Sequence, residues 1–127
     1  MPAAHLEHLN VTVTDPRATA GWLARVFGWH VRWEGAAIDD GHTMHVGDDT
    51  GYIALYTPPR PTSDGPGSYG TKGGLNHWAV VVDDLDATEA RVRAEGFDPH
   101  NHADYEPGRR FYFRDHDGIE IEVVSYA

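Results

Sequence analysis

Two stretches of this chain repeat each other, and that repeat limits what the chain can fold into. Leu6–Val13 reads LEHLNVTV and Leu75–Val82 reads LNHWAVVV, with His8 and His77 standing 69 residues apart. At that offset Leu6/Leu75, His8/His77, Val11/Val80, Val13/Val82, Asp15/Asp84 and Ala18/Ala87 are identical, six of the thirteen positions compared. Self-similarity at a fixed offset is the mark of a duplicated supersecondary unit. Each copy opens on a short apolar strand carrying a histidine where an aliphatic residue would be expected.

The pattern around the first copy spells out the unit. Strand alternation puts Leu9, Val11 and Val13 on one face and His8, Asn10 and Thr12 on the other. The first face suits burial against a helix, and the second suits the wall of a wet cavity. Asp15 followed by Pro16 is a helix start, because the aspartate can cap and the proline is pre-set for the first turn. Trp22, Leu23, Val26 and Phe27 make an apolar stripe and Gly28 a stop, so a helix is expected over Pro16–Phe27. Strands are expected at Trp29–Glu34, His42–Gly47 and Tyr52–Thr57, separated by acidic and glycine turns.

Residues 1–57 therefore read as one βαβββ module, and 58–74 (PPRPTSDGPGSYGTKGG) as a Pro/Gly-rich linker. Residues 75–127 repeat the plan, with a strand at Leu75–Val82 and a helix over Leu85–Glu95, capped by Asp83 or Asp84. A weak polar strand near Phe97–His102, a loop at Ala103–Arg109, and strands at Arg110–Arg114 and Ile119–Tyr126 follow. In the penultimate strand Arg110, Tyr112 and Arg114 share one face and Phe111 and Phe113 the other. In the last strand Glu120, Glu122 and Val124 alternate with Ile119, Ile121 and Val123. The expected class is α+β, two paired βαβββ modules forming a cupped mixed sheet with helices outside, in one compact domain.

Composition narrows the partners. Ten basic against twenty acidic residues give a net charge of −10, which repels nucleic acid and anionic membrane surfaces. No cysteine is present, which excludes disulfides, thiolate ligands and a cysteine nucleophile. MPAAHLEHLN has neither a basic nor an apolar leader region, and no run approaches the roughly 20 apolar residues of a membrane span. A cytoplasmic protein with a small-molecule substrate is expected.

Histidines on both opening strands and a carboxylate on the last one suggest a metal site. His8, His77 and one of Glu120 or Glu122 would make a two-histidine, one-carboxylate set with positions left open for substrate. An acid on an exposed edge strand would account for Glu120 more readily than for Glu122.

These residues resemble the vicinal oxygen chelate superfamily, which includes glyoxalase I, extradiol ring-cleaving dioxygenases, and fosfomycin- and bleomycin-resistance proteins. The resemblance spans nearly the whole chain: paired βαβββ modules, the two histidines, and the ending FYFRDHDGIEIEV. It implies that the last ligand is the acid four residues after Gly118, Glu122. Glyoxalase I places a further glutamate on the last strand of the first module, where this chain has Ile53-Ala54-Leu55. Ala54 cannot bind metal. Three donors resemble both the extradiol dioxygenases and the fosfomycin-resistance enzymes, and Tyr112 would match the active-site tyrosine of either. His116 stands where the dioxygenase signature has proline, and the dioxygenases' acid–base histidine would have to be replaced by His42, His45 or His102. The potassium-binding loop of the fosfomycin-resistance enzymes is here Tyr105-Glu106-Pro107-Gly108-Arg109-Arg110.

The resemblance implies one divalent ion per site, Fe(II) favoured, with Mn(II), Zn(II) or Ni(II) as alternatives. The reaction expected is that of a ring-cleaving dioxygenase. A glyoxalase-like lyase or thiol transferase and a metal-free binding protein of the bleomycin-resistance kind are the alternatives. Asn10, Thr12, Tyr52, Tyr56 and Arg110 are expected around the substrate. A homodimer is implied; in the family such modules pair within one chain or between two, and in small members the site often forms across the dimer, with His8 from one chain and His77 and Glu122 from the other.

Overall fold

A computed structural model of the chain describes residues 2–105 and 108–127. The chain divides into two compact units, Met1–Ser63 and Asp64–Ala127, with the division inside the Pro/Gly-rich stretch.

The first unit contains β1 (His8–Thr12), α1 (Pro16–Phe27), β2 (His30–Ala36), β3 (His42–Gly47) and β4 (Tyr52–Thr57). Its four-stranded sheet has the order β1-β4-β3-β2, with β1 parallel to β4 and the other neighbours antiparallel. The ends of α1 follow the sequence closely. Asp15 accepts from the Arg17 and Ala18 amides at 3.1 and 3.3 Å, and Gly28 closes the helix at φ 74°. Trp22, Leu23 and Val26 of α1 are buried, as are Met44 and Val46 of β3 and Leu55 of β4. The register pairs Met44 with Leu55 and Val46 with Ile53, so these side chains share the sheet face turned to the helix. Burying each such aliphatic contributes about 1.5–3 kcal/mol. Gly47 lets β3 turn tightly into β4, because a Cβ there would collide with the Gly51 carbonyl oxygen.

The second unit repeats this with β5 (Trp78–Val81), α2 (Leu85–Ala94), β6 (His100–Tyr105), β7 (Gly108–Arg114) and β8 (Glu120–Ser125). The sheet order is β5-β8-β7-β6, again with one parallel pair, β5 to β8. Asp84 caps α2 by accepting from the Ala87 amide at 3.0 Å. Val92, Phe111, Phe113, Ile121 and Val123 form the core, and Phe97 stacks on Phe113 with ring centroids 5.7 Å apart. Both units are thus βαβββ and the chain is α+β, as the repeat suggests.

Three expectations need correction. Strand pairing in β5 begins at Trp78, so His77 immediately precedes the strand. The stretch expected as a loop from Ala103 is strand up to Tyr105 and again from Gly108; Glu106 and Pro107 lie outside the described residues. The weak polar strand expected near Phe97–His102 is β6, displaced to His100–Tyr105; alternation does not fix its ends, because it is a polar edge strand (HNHADY) with a register shift between His100 and Ala103 and Asn101 at φ 53°. Finally, β8 is flanked by β5 and β7, and all six of its residues are buried. Glu120 is therefore not an exposed edge acid; it is buried and meets Arg114 Nη2 at 3.3 Å.

A candidate metal centre

In the second unit the register Tyr112↔Glu122 puts both side chains on the sheet face opposite the Phe111 and Phe113 core. Glu122 is 8% exposed and is held from several sides. Its Oε1 stands 3.2 Å from Nε2 of His77, and its Oε2 accepts from Nη1 of Arg110 at 2.9 Å. Tyr112 hydrogen-bonds it through the hydroxyl, and its ring meets His77 edge-on at 5.7 Å. Burial, then the contact with Glu122, raises the Tyr112 phenol above its usual pKa, so it stays protonated near neutrality. The Tyr69 hydroxyl lies 3.4 Å from Nδ1 of His77, and Arg110 also sits over the Tyr105 ring at 5.0 Å.

The chemistry of this pair suits a divalent ion. Two donors each about 2.0–2.2 Å from one ion, at roughly a right angle, stand about 3 Å apart, and His77 Nε2 and Glu122 Oε1 are 3.2 Å apart. Imidazole and carboxylate are donors that Fe(II), Mn(II) and Zn(II) accept. Among the described residues, no group of three or more His, Cys, Asp or Glu side chains that could hold a metal ion is gathered in one place. Each acid of β8 has an arginine partner, Arg114 for Glu120 and Arg110 for Glu122, and it is Glu122 that also meets the histidine.

In the first unit His8 leads β1 and lies beside Tyr52 of β4. Its ring stacks on Tyr52 at 4.8 Å, Tyr52 stacks on His45 at 4.4 Å, and Trp33 leans on His45 at 5.1 Å. The His8 Nδ1 meets Oε1 of Glu7 at 2.8 Å, and the Tyr52 hydroxyl donates to the same oxygen at 3.2 Å. Arg32 covers the Tyr52 ring at 4.8 Å. Burial first, then the nearby His8 and Arg32, hold the His45 imidazole below its usual pKa, which keeps it neutral near pH 7.

Asn10 and Thr12 share the His8 face of β1 and are exposed. Tyr56 has its hydroxyl committed, donating to the Ile38 carbonyl at 2.9 Å. His102 is not brought together with His77 and Glu122. It stacks on Phe111 at 5.9 Å and meets Glu89 of α2 at 2.9 Å, which puts it on the helix side of its sheet.

The two sheets can be compared residue by residue through their registers. Asn10 pairs with Ala54 in one and Ala79 with Glu122 in the other, and Asn10 and Ala79 are 69 residues apart. Ala54 therefore occupies the place of Glu122. His45 pairs with Ala54 as Tyr112 pairs with Glu122, so His45 occupies the place of Tyr112. The first unit keeps the histidine and has alanine in the place of Glu122; the acid beside His8 is instead its sequence neighbour Glu7. Glu7 and Arg110 are the engaged partners that pattern reading missed in these roles; an acid next to a histidine and an arginine two residues from a tyrosine carry no periodic signal.

No curated protein matches this chain in sequence. Solved structures share its fold at low identity. A glyoxylase/bleomycin resistance protein/dioxygenase domain from Frankia superposes with a TM-score of 0.82 at 21% identity, covering 98% of this chain and 93% of that one. The antibiotic-binding protein TnmS3 of a Streptomyces species gives 0.73 at 21% identity, covering 100% and 99%. The fosfomycin resistance protein FosX of Listeria monocytogenes, complexed with Mn(II) and sulfate, gives 0.71 at 17% identity, covering 98% and 93%. A family model matches residues 5–123, and the chain belongs to the Glyoxalase/Bleomycin resistance protein/Dioxygenase superfamily.

Proposed function

We propose that this protein is a metal-dependent enzyme whose donors are His77, Glu122 and His8, the last contributed by a second copy in a cytoplasmic homodimer. The reading rests on one observation, the 3.2 Å approach of His77 Nε2 to Glu122 Oε1 beside a protonated Tyr112. His77, Glu122 and His8 would hold one divalent ion, with Fe(II) favoured over Mn(II), Zn(II) and Ni(II), which would supply Lewis acidity toward a small oxygen-bearing substrate.

The remaining roles belong to side chains. Arg110 holds Oε2 of Glu122 and so orients the carboxylate that would serve as a donor. Tyr112 offers its phenolic proton to a substrate oxygen. His45, kept neutral, accepts a proton from a substrate hydroxyl, which a charged imidazole could not do. Asn10, Thr12 and Tyr52 line the substrate on the His8 face. With Ala54 where a fourth donor would stand, the set is closer to that of a ring-cleaving dioxygenase than to that of a glyoxalase-like lyase or thiol transferase.

A second reading has its own observation. Both oxygens of Glu122 already have protein partners, His77 and Arg110, so the group is charge-compensated without an ion. That favours a metal-free small-molecule binder. Reconstitution with each metal under nitrogen, followed by oxygen uptake and ring opening on a panel of catechols, separates the two. Turnover only with Fe(II) supports the dioxygenase; ligand binding unaffected by chelation supports the binder.

A further inference from the structure

The two repeated histidines are held in different ways, and the difference concerns which ring nitrogen is free. A neutral imidazole carries one proton, and the hydrogen bond made by one nitrogen decides which nitrogen keeps a lone pair. Nδ1 of His8 meets Oε1 of Glu7 at 2.8 Å. A carboxylate only accepts, so Nδ1 carries the proton and Nε2 keeps the lone pair. Glu7 is itself fixed, since the Tyr52 hydroxyl donates to the same oxygen at 3.2 Å. Tyr52 also stacks on the His8 ring at 4.8 Å with 12° between the planes. Ring tilt and proton position are thus set by two residues together.

Nothing comparable follows from the repeat at His77. The position 69 residues after Glu7 is Asn76, and Nδ1 of His77 faces the Tyr69 hydroxyl at 3.4 Å instead.

We infer that Glu7 is a positioning residue for His8: together with Tyr52 it fixes the imidazole with Nδ1 protonated and Nε2 presented as the donor atom. The inference rests on the reading that His8 is a metal donor. A carboxylate behind a ligating histidine fixes its orientation and raises its basicity, and removing such a partner typically weakens metal binding by about 10–100-fold.

The test uses full-length metal-free protein and Glu7→Ala and Glu7→Gln variants. Imidazole ¹⁵N NMR at a pH where His8 is neutral reads the tautomer directly. Co(II) titration followed by absorbance reads affinity, and thermal melting checks that the variants fold. The expected result is Nδ1–H at His8 in the wild type and a shift toward Nε2–H in Glu7→Ala. Co(II) binding should weaken about 10–100-fold in Glu7→Ala. Glu7→Gln, whose amide oxygen still accepts, should restore most of both. An unchanged His8 tautomer, or unchanged Co(II) affinity in Glu7→Ala, overturns the inference while leaving His8 a possible donor. A tautomer that shifts in a protein that never binds Co(II) overturns the metal reading while Glu7's hold on His8 stands.

Discussion

Arg110 donates through Nη1 to Oε2 of Glu122 at 2.9 Å, from a side chain 15% exposed to one 11% exposed. A charge pair this sheltered is costly to break from one side, because the partner left behind is an uncompensated charge. Arg110→Ala should destabilise the fold by about 3 kcal/mol, a figure at the lower end for buried pairs because neither group is fully buried. Arg110→Ala combined with Glu122→Gln should lose less than the two single variants added together, measured by urea unfolding. Additive losses would show that the two side chains do not depend on each other.

Asp115 closes the turn between β7 and β8, its Oδ1 accepting from the Asp117 and Ile119 amides at 2.9 and 3.1 Å. Burial raises its pKa above 3.8, with these two bonds opposing the shift. A carboxyl with a raised folded pKa binds its proton more tightly in the folded chain. Its contribution to stability is therefore full below the unfolded pKa and is lost as pH rises through the folded one. Asp115→Ala removes the acceptor and should cost about 1–3 kcal/mol. Asp115→Asn keeps an accepting oxygen and no charge, so it should compare better with the wild type at pH 7 than at pH 4. Equal differences at both pH values in chemical denaturation would contradict the shift.

The helix caps are the repeat's structural signature, and they should carry similar energies. Asp15→Ala and Asp84→Ala each remove a side-chain acceptor from a first helical turn, and each should cost about 1 kcal/mol in equilibrium unfolding. A cost near zero at either site would mean that the cap is decorative there.

Tyr112 should matter to turnover and not to folding. Tyr112→Phe keeps the ring against His77 and removes the proton that the phenol holds beside Glu122. On the proposed role, kcat should fall about 10²–10³-fold with metal content and melting temperature retained. Loss of metal in this variant would instead make the hydroxyl part of the ion's support.

Local chemistry explains what could be read in advance. Asp15-Pro16 and Gly28 bound a helix because a capping carboxylate, a preset proline and a left-handed glycine each act within one turn. Gly47 and the acidic turns similarly bound β3 and β4. The polar edge strand β6 was legible only as a weak strand set three residues too early, because it buries little and shows no alternation to fix its ends. At the site, the repeat pointed to His8 and His77, and the family resemblance, counted from Gly118, pointed to Glu122. Which partners hold them depends on cross-strand register, which a linear pattern does not encode. Arg110 meets Glu122 across the β7–β8 pairing, and Glu7 meets Tyr52 across β1–β4. His45 as the counterpart of Tyr112 emerges only when the two registers are compared.

The metal content of protein purified without chelator, measured by elemental analysis for wild type, His8→Ala, His77→Ala and Glu122→Ala, bears most directly on the site. One divalent ion per site in the wild type, lost in each folded variant, is the result expected of the His8, His77 and Glu122 set. A wild type that holds no metal, or three variants that all retain it, would contradict that set.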